Sequence, residues 1–500
     1  PYIQLAVAHT ILAGGYGVNP GEYASPSASI LYPFLLAPLL ALGLGTLAPG
    51  LLASGAALWS AWLIAGLYGA NGTRPGSAMS RAGALLLLPV LFLALNLYAL
   101  PLTGMEHTLH VLTVCFVVAG LARFDGDAPV PALLVAGIVL GPLIRFEGFA
   151  VSLAALMVLA WFGKLRALAI CTLLLGASVG AYVALMSALG LPPLPSSVMV
   201  KSSASASAVD AGILDAVTGI VQNLRIALLN EKGTLLALAM VAIWAALLPV
   251  AAPADRRAAL IFVALVGIGG HLALGRWGWW SRYEIYANAL ALLSLLILYR
   301  EMLRAEVRFE SVRVLGLLGL FAIVAETYLT TTARTPAAAE NIYAQQYQMH
   351  RFATEHFPDA VAVNDLGWVA YDNDGYVLDL WGLGSEEARL RRQRPDYGAD
   401  DLRALVAGGG VSYAMIYDAW FPDMIPAEWC RIATLDTPRV SAAQGEVAFY
   451  LIDPGREAEF RAALDRFARG LPEVSSMTVS DCAASSRAPE PGRSRGAALP

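Results

Sequence analysis

The sequence predicts a polytopic α-helical membrane protein that carries a C-terminal α/β domain outside the membrane. Hydrophobic residues make up 57% of the chain and charged residues only 14%, whereas a soluble chain carries roughly a quarter charged residues. About ten apolar runs, separated by short loops, are long enough or nearly long enough to cross a bilayer. Beyond about residue 335 these runs stop and charged residues become frequent. Because a helix satisfies its own backbone groups in lipid, the first two thirds of the chain predict a helical bundle.

The elements of the bundle follow in order. Pro1–Ser29 is polar and rich in Gly, Pro and Ser, which predicts a loop with one short helix. Ile30–Leu47 is apolar but interrupted by Pro33 and Pro38, which predicts a re-entrant or interfacial helix. Spanning helices are predicted at Leu51–Leu67, Ala84–Leu100, Thr108–Ala122, Val130–Ile144, Phe149–Phe162, Leu165–Leu189, Leu235–Ala252, Ala258–Leu274, Ile285–Tyr299 and Val314–Thr330. Several are short, which fits tilted helices packed in a bundle.

Lysine and arginine in the short loops predict the orientation, because cytoplasmic loops carry the positive excess. One set of loops holds Arg74, Arg81, Arg123, Lys164, Arg166, Arg256, Arg257 and the arginines between 300 and 313. With that face in the cytoplasm, the outer face receives Pro1–Ser29, Thr103–His107, Arg145–Gly148, Pro193–Ser202, Gly275–Glu284 and everything after Thr331. The net charge of −5 is thinly spread and does not indicate nucleic-acid binding.

The C-terminal region alternates short apolar runs with amphipathic segments, which predicts a small α/β domain. The predicted strands are Val361–Asn364, Tyr376–Leu380, Val411–Tyr417 and Val447–Ile452, and the predicted helices are Asn341–His356, Glu386–Arg392, Asp401–Val406 and Glu457–Arg469. We therefore divide the chain into a membrane domain, residues 1–334, an outer domain, residues 335–475, and a tail, residues 476–500. The tail is rich in Ser, Pro, Gly and Arg from Ala483 onward, which is typical of disorder.

The four cysteines fall into two pairs. Cys115 and Cys171 lie in predicted spans, where packing is their expected role. Cys430 and Cys482 lie in the outer domain, which faces an oxidising space in this topology. A disulfide between them and two unrelated thiols both remain open. No CxxC motif or His/Cys cluster predicts a structural metal.

Two short outer turns carry ionisable residues close to the membrane, where such residues are functional candidates by default. Glu106 and His107 follow one tight turn, and they either bind a hydroxyl or a cation at the mouth of a cavity or lie in a solvated loop. Arg145 and Glu147 flank Phe146 in the other turn. They are either part of the site or a local ion pair.

Two further outer loops suit an anionic, sugar-bearing ligand. Lys201 ends a Pro-rich loop; its ammonium suits phosphate, and a solvated loop lysine is the alternative. The loop 275–284 interleaves arginines with aromatic residues; it is either a membrane-anchoring aromatic belt or a phosphate and sugar site. Its candidates are Arg276, Trp277, Trp279, Trp280, Arg282, Tyr283 and Glu284.

These motifs, in this order, resemble a known family. PYIQLAVAHTILAGGYGVNPGEYASPSASILYP at the start of the chain resembles the first outer loop of bacterial GT-C polyprenyl-phosphate-sugar glycosyltransferases, most of all the actinobacterial terminal arabinofuranosyltransferase-like group. TGMEHTL, LIRFEGF, LPSSVMVKS, SRYEIY and VNDLGWVAY…VLDLWGL also resemble that group. Two departures are Pro195-Ser196-Ser197, where relatives often have Pro-Asn-Ser/Thr, and Phe146, where a Pro is commoner.

The resemblance implies a GT-C-like helical bundle in a bacterial plasma membrane, with the active site and the C-terminal domain on the outer face. It implies a polyprenyl-phosphate-linked sugar donor and a cell-envelope glycan acceptor. The family's catalytic acidic residue would lie directly before Pro1, so we expect the chain to be N-terminally truncated. Within the chain, the expected roles are catalysis for Glu106, His107 and Glu147, donor-phosphate binding for Lys201, Arg276, Arg282 and Arg145, and sugar or acceptor binding for Asn19, Glu22, Trp279, Tyr283, Glu284 and Asp365.

Three classes of function can be considered for a membrane protein with these motifs. A glycosyltransferase with a lipid-linked donor needs no nucleotide site, which agrees with the absence of a Walker motif. A transporter or flippase of lipid-linked sugars is the alternative, but transporters often show internal repeats, and none is visible here. A non-catalytic scaffold would not need charged residues in so many outer loops. We expect no firm cofactor, and a divalent cation remains open.

Overall fold

The computed structural model describes residues 1–69, 87–124, 126–201, 213–247, 256–299 and 312–482. The chain divides into two compact units. The first unit contains Pro1, Ile3–Gly17 and Ser25–Pro336, and the second contains Tyr2, Val18–Ala24 and the chain from Ala337 onward. A short piece of the N-terminal loop therefore belongs to the same unit as the C-terminal domain.

The first unit is helical. Its helices are α1 (Tyr2–Leu12), α2 (Tyr32–Ala41), α3 (Leu47–Gly69), α4 (87–94), α5 (His107–Ala122), α6 (Ala132–Ile144), α7 (Gly148–Trp161), α8 (Leu165–Ala188), α9 (Ser196–Lys201), α10 (Ile213–Leu229), α11 (Glu231–Ala245), α12 (Arg256–Leu274), α13 (Ile285–Leu298) and α14 (Val312–Ile342). A short 3₁₀ turn at Leu100–Thr103 precedes α5. Helix α14 continues past Pro336 into the second unit through two π-helical turns, Tyr343–Tyr347 and Phe352–His356.

The expected bundle of apolar helices is present and is compatible with a membrane protein, but fewer helices reach full spanning length than expected. Among the described residues, four helical segments are long and apolar enough to cross a bilayer: Leu47–Tyr68, Leu165–Ala188, Arg256–Leu274 and Leu315–His356. Helices α5, α6, α7 and α13 have 16, 13, 14 and 14 residues. At 1.5 Å per residue they are roughly 20–24 Å long, short of the ~30 Å hydrocarbon core. The expected spans at residues 84–100 and 235–252 lie partly outside the described ranges.

A sharp bend joins α10 to α11, and sequence reasoning did not anticipate α10. The two helices meet at Asn230 with a bend of 96°, and together they pass as one broken span, which would be the fifth. Asn230 caps α11, because its side chain accepts a hydrogen bond from the Lys232 amide at 3.1 Å. Gly233 permits the close return of the chain, since a Cβ there would lie 2.0 Å from the Ala227 carbonyl oxygen.

The second unit is built on a six-stranded mixed sheet. Its strands are β1 (Val361–Val363), β2 (Val377–Asp379), β3 (Tyr413–Ile416), β4 (Cys430–Asp436), β5 (Glu446–Leu451) and β6 (Ser476–Val479), arranged in the order β2-β1-β3-β5-β4-β6. β1 runs parallel to β2 and β3, whereas the pairs β3–β5, β5–β4 and β4–β6 are antiparallel. The helices are α15 (Glu386–Arg392), α16 (Ala399–Gly408) and α17 (Glu457–Ala468), so the expected α/β domain is present.

Two apolar clusters form the core of this unit. One contains Leu378, Leu402, Leu405 and Ile416, which come from the sheet and from α16. The other is aromatic: the Phe352 ring lies 5.2–5.6 Å from the rings of Tyr413, Phe449, Phe460 and Phe467. Burial of such large rings contributes most of the hydrophobic stabilisation available to a small domain.

Three features of this region were not predicted from the sequence or were left open by it. β4 was not predicted, because its burial alternates only partly and a bulge lies between Arg431 and Ala433. Residues 476–479, assigned to the tail, form β6 beside β4. Cys430 and Cys482 are joined in a disulfide with a Cα–Cα distance of 5.1 Å, which resolves the alternative left open above. The predicted disorder after Ala483 lies outside the described residues.

Candidate active site

A tight turn before α5 positions Glu106. Gly104 adopts φ +60° there, and a Cβ at this position would lie 3.0 Å from Pro49 Cβ, so glycine suits both the conformation and the space. The Tyr32 hydroxyl donates a 2.8 Å hydrogen bond to the Gly104 carbonyl oxygen. The turn brings Glu106 to the start of α5, where only 1% of the residue is exposed.

Arg145 joins two carboxylates. It follows α6 in extended conformation, and the next helix can approach closely because a Cβ on Gly148 would lie 2.5 Å from the Gly141 backbone. Arg145 Nη1 donates to Glu106 Oε1 at 2.8 Å, while its Nε and Nη2 donate to the two oxygens of Glu147 at 3.1 and 2.5 Å. The structure thus brings three predicted residues together. It also changes the expected role of Arg145, whose donors are engaged by carboxylates rather than open to a phosphate.

Arg145 keeps both carboxylates ionised. Burial by itself would raise the pKa of Glu106, but the charge and the hydrogen bond of Arg145 lower it below the usual value. Burial acts in the same way on Glu147, and Arg145 lowers the pKa of that carboxyl to about 2. Both groups are therefore negatively charged at neutral pH, and one cation is shared between them.

Several polar atoms around Glu106 are buried without a hydrogen-bond partner among the described residues. They are Glu106 Oε2, both ring nitrogens of His107, and Arg282 Nε. His107 Nδ1 lies 3.9 Å from Glu106 Oε1, which is too long for a hydrogen bond. Buried polar groups in native proteins are normally hydrogen-bonded, so a concentration of unpartnered ones marks a place where a ligand or water is expected.

Tyr283 lies between the two arginines of this region. The guanidinium carbons of Arg145 and Arg282 are 5.8 and 5.6 Å from the centroid of its ring, within the range of a cation–π contact. The His107 ring meets it edge-on at 5.8 Å. Arg282 Nη1 contacts the sulfur of Met105, which is a weak acceptor. Among the residues that the structure describes, most of the hydrogen-bonding capacity of Arg282 is therefore unused, as expected of a residue that binds an anion.

The loop that precedes Arg282 has an unusual backbone. Gly278, Trp279, Trp280 and Ser281 have φ values of 82°, 50°, 64° and 55°, which makes one left-handed turn. Left-handed helical conformation costs roughly 1–2 kcal/mol for each residue with a Cβ. Such strain persists only where the surroundings hold it in place, and it is commonest at functional sites.

A second buried ion pair holds this loop, and sequence reasoning missed one of its members. Lys232, at the start of α11, donates to Glu284 Oε1 at 2.8 Å and to the Ser281 hydroxyl. Glu284 Oε2 accepts the Gly278 amide at 3.2 Å, and the residue is fully buried. We therefore assign Glu284 to support of the loop rather than to the expected sugar contact. The only sequence signal for Lys232 is its position as a cation just before an apolar helix.

Two histidines missed by sequence reasoning extend the polar region into the bundle. The His110 ring stacks on Tyr286 at 4.4 Å, and the Tyr286 hydroxyl lies 3.2 Å from His271 Nδ1. His110 and Ser152 line a small cavity, and His110 Nε2 and Ser152 Oγ have no hydrogen-bond partner in the described part of the chain. The three-residue spacing of His107 and His110 on one helix was a signal available in the sequence.

The remaining predicted site residues are not part of the cluster around Glu106, or their side chains are not described. Arg276 and Trp279 are exposed on the loop. Lys201 ends α9, but its side chain lies outside the described part of the chain. Asn19, Glu22 and Asp365 belong to the second unit.

Asn19 and Asp365 have structural partners in the second unit. The side-chain amide of Asn19 hydrogen-bonds to the backbone of Val377 as a neighbouring strand would. Its Nδ2 donates to the Val377 carbonyl oxygen and its Oδ1 accepts from the Val377 amide, both at 2.9 Å. Its Nδ2 also donates to Glu22 at 2.8 Å. Asp365 precedes a series of turns, and its Oδ2 accepts hydrogen bonds from Gln346 and Tyr417, both at 3.0 Å.

Among the described residues, no group of three or more His, Cys, Asp or Glu side chains is arranged to hold a metal ion. Comparison with known proteins gives one match: residues 340–450 match the family model of a domain of unknown function, DUF8728. This segment lies within the second unit and includes most of its sheet. No curated protein and no solved structure matches the chain.

Proposed function

We propose that the protein is an integral membrane glycosyltransferase that moves a sugar from a polyprenyl-phosphate donor to a cell-envelope glycan. The proposal places it in the bacterial plasma membrane, with the reaction on the outer face. Arabinofuranose is the sugar we propose, on the resemblance described above. The reaction needs a base for the acceptor hydroxyl and cations for the departing lipid phosphate.

The observation that carries the proposal is the arrangement around Glu106. Arg145 holds one oxygen of this buried carboxylate, while the other oxygen accepts no hydrogen bond from the described residues. A carboxylate held in this way is ionised and oriented, and it keeps one oxygen to accept a proton or a hydroxyl hydrogen bond. Arg282 contributes an underused guanidinium, and it shares the Tyr283 ring with Arg145. A base and a phosphate-binding cation are thus both available.

In the proposed mechanism Glu106 is the general base for the acceptor hydroxyl. His107, whose ring nitrogens have no hydrogen-bond partner among the described residues, contributes to binding the sugar or that hydroxyl.

We also propose that the second unit binds the acceptor glycan and takes no part in the chemistry. Trp368 is the centre of an aromatic group there: its ring lies 3.6 Å from that of Tyr2 and 5.0 Å from that of Tyr347. Aromatic rings of this kind suit sugar faces. Deleting the unit from about Thr335 would cut through α14 and leave Val18–Ala24 without its partner, so Trp368→Leu is a cleaner test. We expect a higher KM for the acceptor and unchanged donor binding.

The test of the function is a transfer assay on the full-length protein in lipid nanodiscs. Polyprenyl-phosphoryl arabinofuranose, labelled in the sugar, is incubated with an arabinan oligosaccharide, and the labelled glycan is measured. Glu106→Gln should abolish most of the transfer, while Glu340→Gln, an exposed carboxylate in the second unit, serves as the matched control. Absence of transfer and of donor hydrolysis by the wild-type protein, with several lipid-linked pentoses and hexoses, would overturn the proposal.

A flippase of lipid-linked sugars is the second candidate, and the bent pair α10–α11 favours it, because broken helices are typical of transporters. A flippase would move a labelled donor lipid between the two leaflets of a vesicle without an acceptor. The proposed enzyme would leave the leaflet distribution unchanged and would consume the donor only when the acceptor is present.

A further inference from the structure

The loop 275–284 is held at both ends by the bent helix pair. Asn223, on α10, donates through Nδ2 to the Gly275 carbonyl oxygen at 3.1 Å. Lys232, on α11, donates to Ser281 and to Glu284 near the other end of the loop. The two arms of the 96° bend thus each contribute one side chain to the same loop.

The contacts of the Lys232 ammonium hold its side chain in one position. Its ammonium lies 4.6 Å from the centroid of the Tyr328 ring, and Asn288 donates a 2.5 Å hydrogen bond to the Tyr328 hydroxyl. The Ser281 hydroxyl that it contacts also lies 3.2 Å from Thr331 Oγ1. The ammonium is therefore surrounded by a carboxylate, a hydroxyl and an aromatic face, and no donor needs an additional ligand.

The held loop leads directly into Arg282. Arg282 follows the left-handed turn Gly278–Ser281 directly, and Glu284 accepts the amide at the start of that turn. A left-handed turn of three residues with Cβ atoms relaxes once its partners are removed, since each residue prefers another backbone region. Relaxation would carry Arg282 and Tyr283 away from Met105, His107 and Arg145.

We propose that Lys232 is a positioning residue for the donor-phosphate site, acting through Glu284 and Ser281 on Arg282, with Asn223 as the second anchor. This inference rests on the proposed function for its kinetic consequences, but not for its structural ones. Lys232 is separated from Ser281 by 49 positions, so no local pattern in the sequence reveals their contact.

The structural test is hydrogen–deuterium exchange on the full-length protein in nanodiscs. Lys232→Met removes the ammonium and keeps most of the length, and Asn223→Ala removes the other anchor. We expect exchange of the amides of residues 276–284 to rise at least tenfold in Lys232→Met and less in Asn223→Ala, with α13 unchanged. Lys164→Met is the matched control, because Lys164 makes only an exposed hydrogen bond to the Ala128 carbonyl oxygen among the described residues. Unchanged exchange of the loop, or a uniform rise over the whole bundle, would overturn the proposal.

The double variant Lys232→Met/Glu284→Gln distinguishes two effects: loss of the contacts from Lys232 to the loop, and the cost of leaving the buried Glu284 carboxylate without a counter-charge. The loop should still exchange faster in the double variant, since the tie to Ser281 is gone. Wild-type protection in the double variant would mean that the buried charge alone caused the effect.

The kinetic test uses the transfer assay. Lys232→Met should raise KM for the polyprenyl-phosphate donor about tenfold, leave KM for the acceptor unchanged, and be partly rescued by Lys232→Arg. An equal loss at all donor concentrations without rescue would contradict a positioning role. If the wild-type protein transfers no sugar, the proposed function fails. The exchange experiment still decides whether Lys232 holds the loop 275–284 in place.

Discussion

Two buried ion pairs lie in the same helical unit, and they differ in how completely their polar atoms are used. In the Lys232–Glu284 pair, both carboxylate oxygens accept hydrogen bonds, and the ammonium has a carboxylate, a hydroxyl and an aromatic ring around it. In the Glu106–Arg145–Glu147 cluster, Glu106 Oε2 and both nitrogens of neighbouring His107 have no hydrogen-bond partner among the described residues.

This difference indicates which group of charges supports the structure and which can bind a ligand. A pair whose polar atoms are all engaged stabilises its surroundings and has no capacity left for a ligand. A cluster that keeps buried donors and acceptors unsatisfied bears a desolvation cost, and a bound substrate can offset that cost. We therefore read the first pair as support and the second cluster as the site.

Glu106→Gln should lower the transfer rate by about 10²–10⁴-fold, the range for losing an acid–base group. Stability should change little, because Gln can still accept the Arg145 hydrogen bond and Glu147 keeps Arg145 paired. Transfer of labelled sugar and thermal unfolding of the same preparation measure both quantities. A folded variant with more than half of the wild-type rate would remove Glu106 from the chemistry.

Glu284→Ala should destabilise the protein by about 3–5 kcal/mol, the cost of breaking a buried ion pair. The partly buried Lys232 would then lack its counter-charge, and the Gly278 amide would lose its acceptor. Unfolding by SDS titration, compared with Glu340→Ala, measures the change. A loss of activity with unchanged stability would reverse the roles assigned to the two ion pairs.

Arg282→Lys should weaken donor binding roughly 10–100-fold, which corresponds to losing one charge-assisted hydrogen bond of about 1.5–3 kcal/mol. Lysine keeps the charge but cannot hold a phosphate with two parallel donors. Arg166→Lys is the control, since Arg166 is exposed on the predicted cytoplasmic side. Donor KM equal to that of the wild type would show that the unused donors of Arg282 do not bind the lipid phosphate.

Acid should destabilise the site cluster through Glu147. Its folded pKa of about 2 lies below the ordinary 4.5, so its stabilisation is complete above pH 4.5 and is lost as the pH falls towards 2. One pKa unit corresponds to about 1.4 kcal/mol, and the partly exposed side chain reduces the full effect to about 1 kcal/mol. Unfolding at pH 6.5 and pH 3.5 should therefore differ less in Glu147→Gln than in the wild type. Equal differences would show that Arg145 does not stabilise the charged form.

The helical bundle, the change of character near residue 335 and most element boundaries can be predicted from the sequence alone. Predicted segments such as Phe149–Phe162 and Leu165–Leu189 agree with α7 and α8 to within one residue at each end. These features are local: a run of apolar residues and a breaker at each end are enough to specify a helix. The motifs that flank Glu106 and Arg145 were visible for the same reason.

Only the tertiary structure decided which of these groups meet. Glu106 and Arg145 are 39 positions apart, Lys232 and Glu284 are 52 apart, and Asn19 pairs with Val377 over 358 positions. The left-handed turn before Arg282 and the disulfide partner of Cys430 also depend on contacts between distant segments. No local pattern encodes such pairs, because the free energy of a buried polar contact depends on what the fold places opposite it.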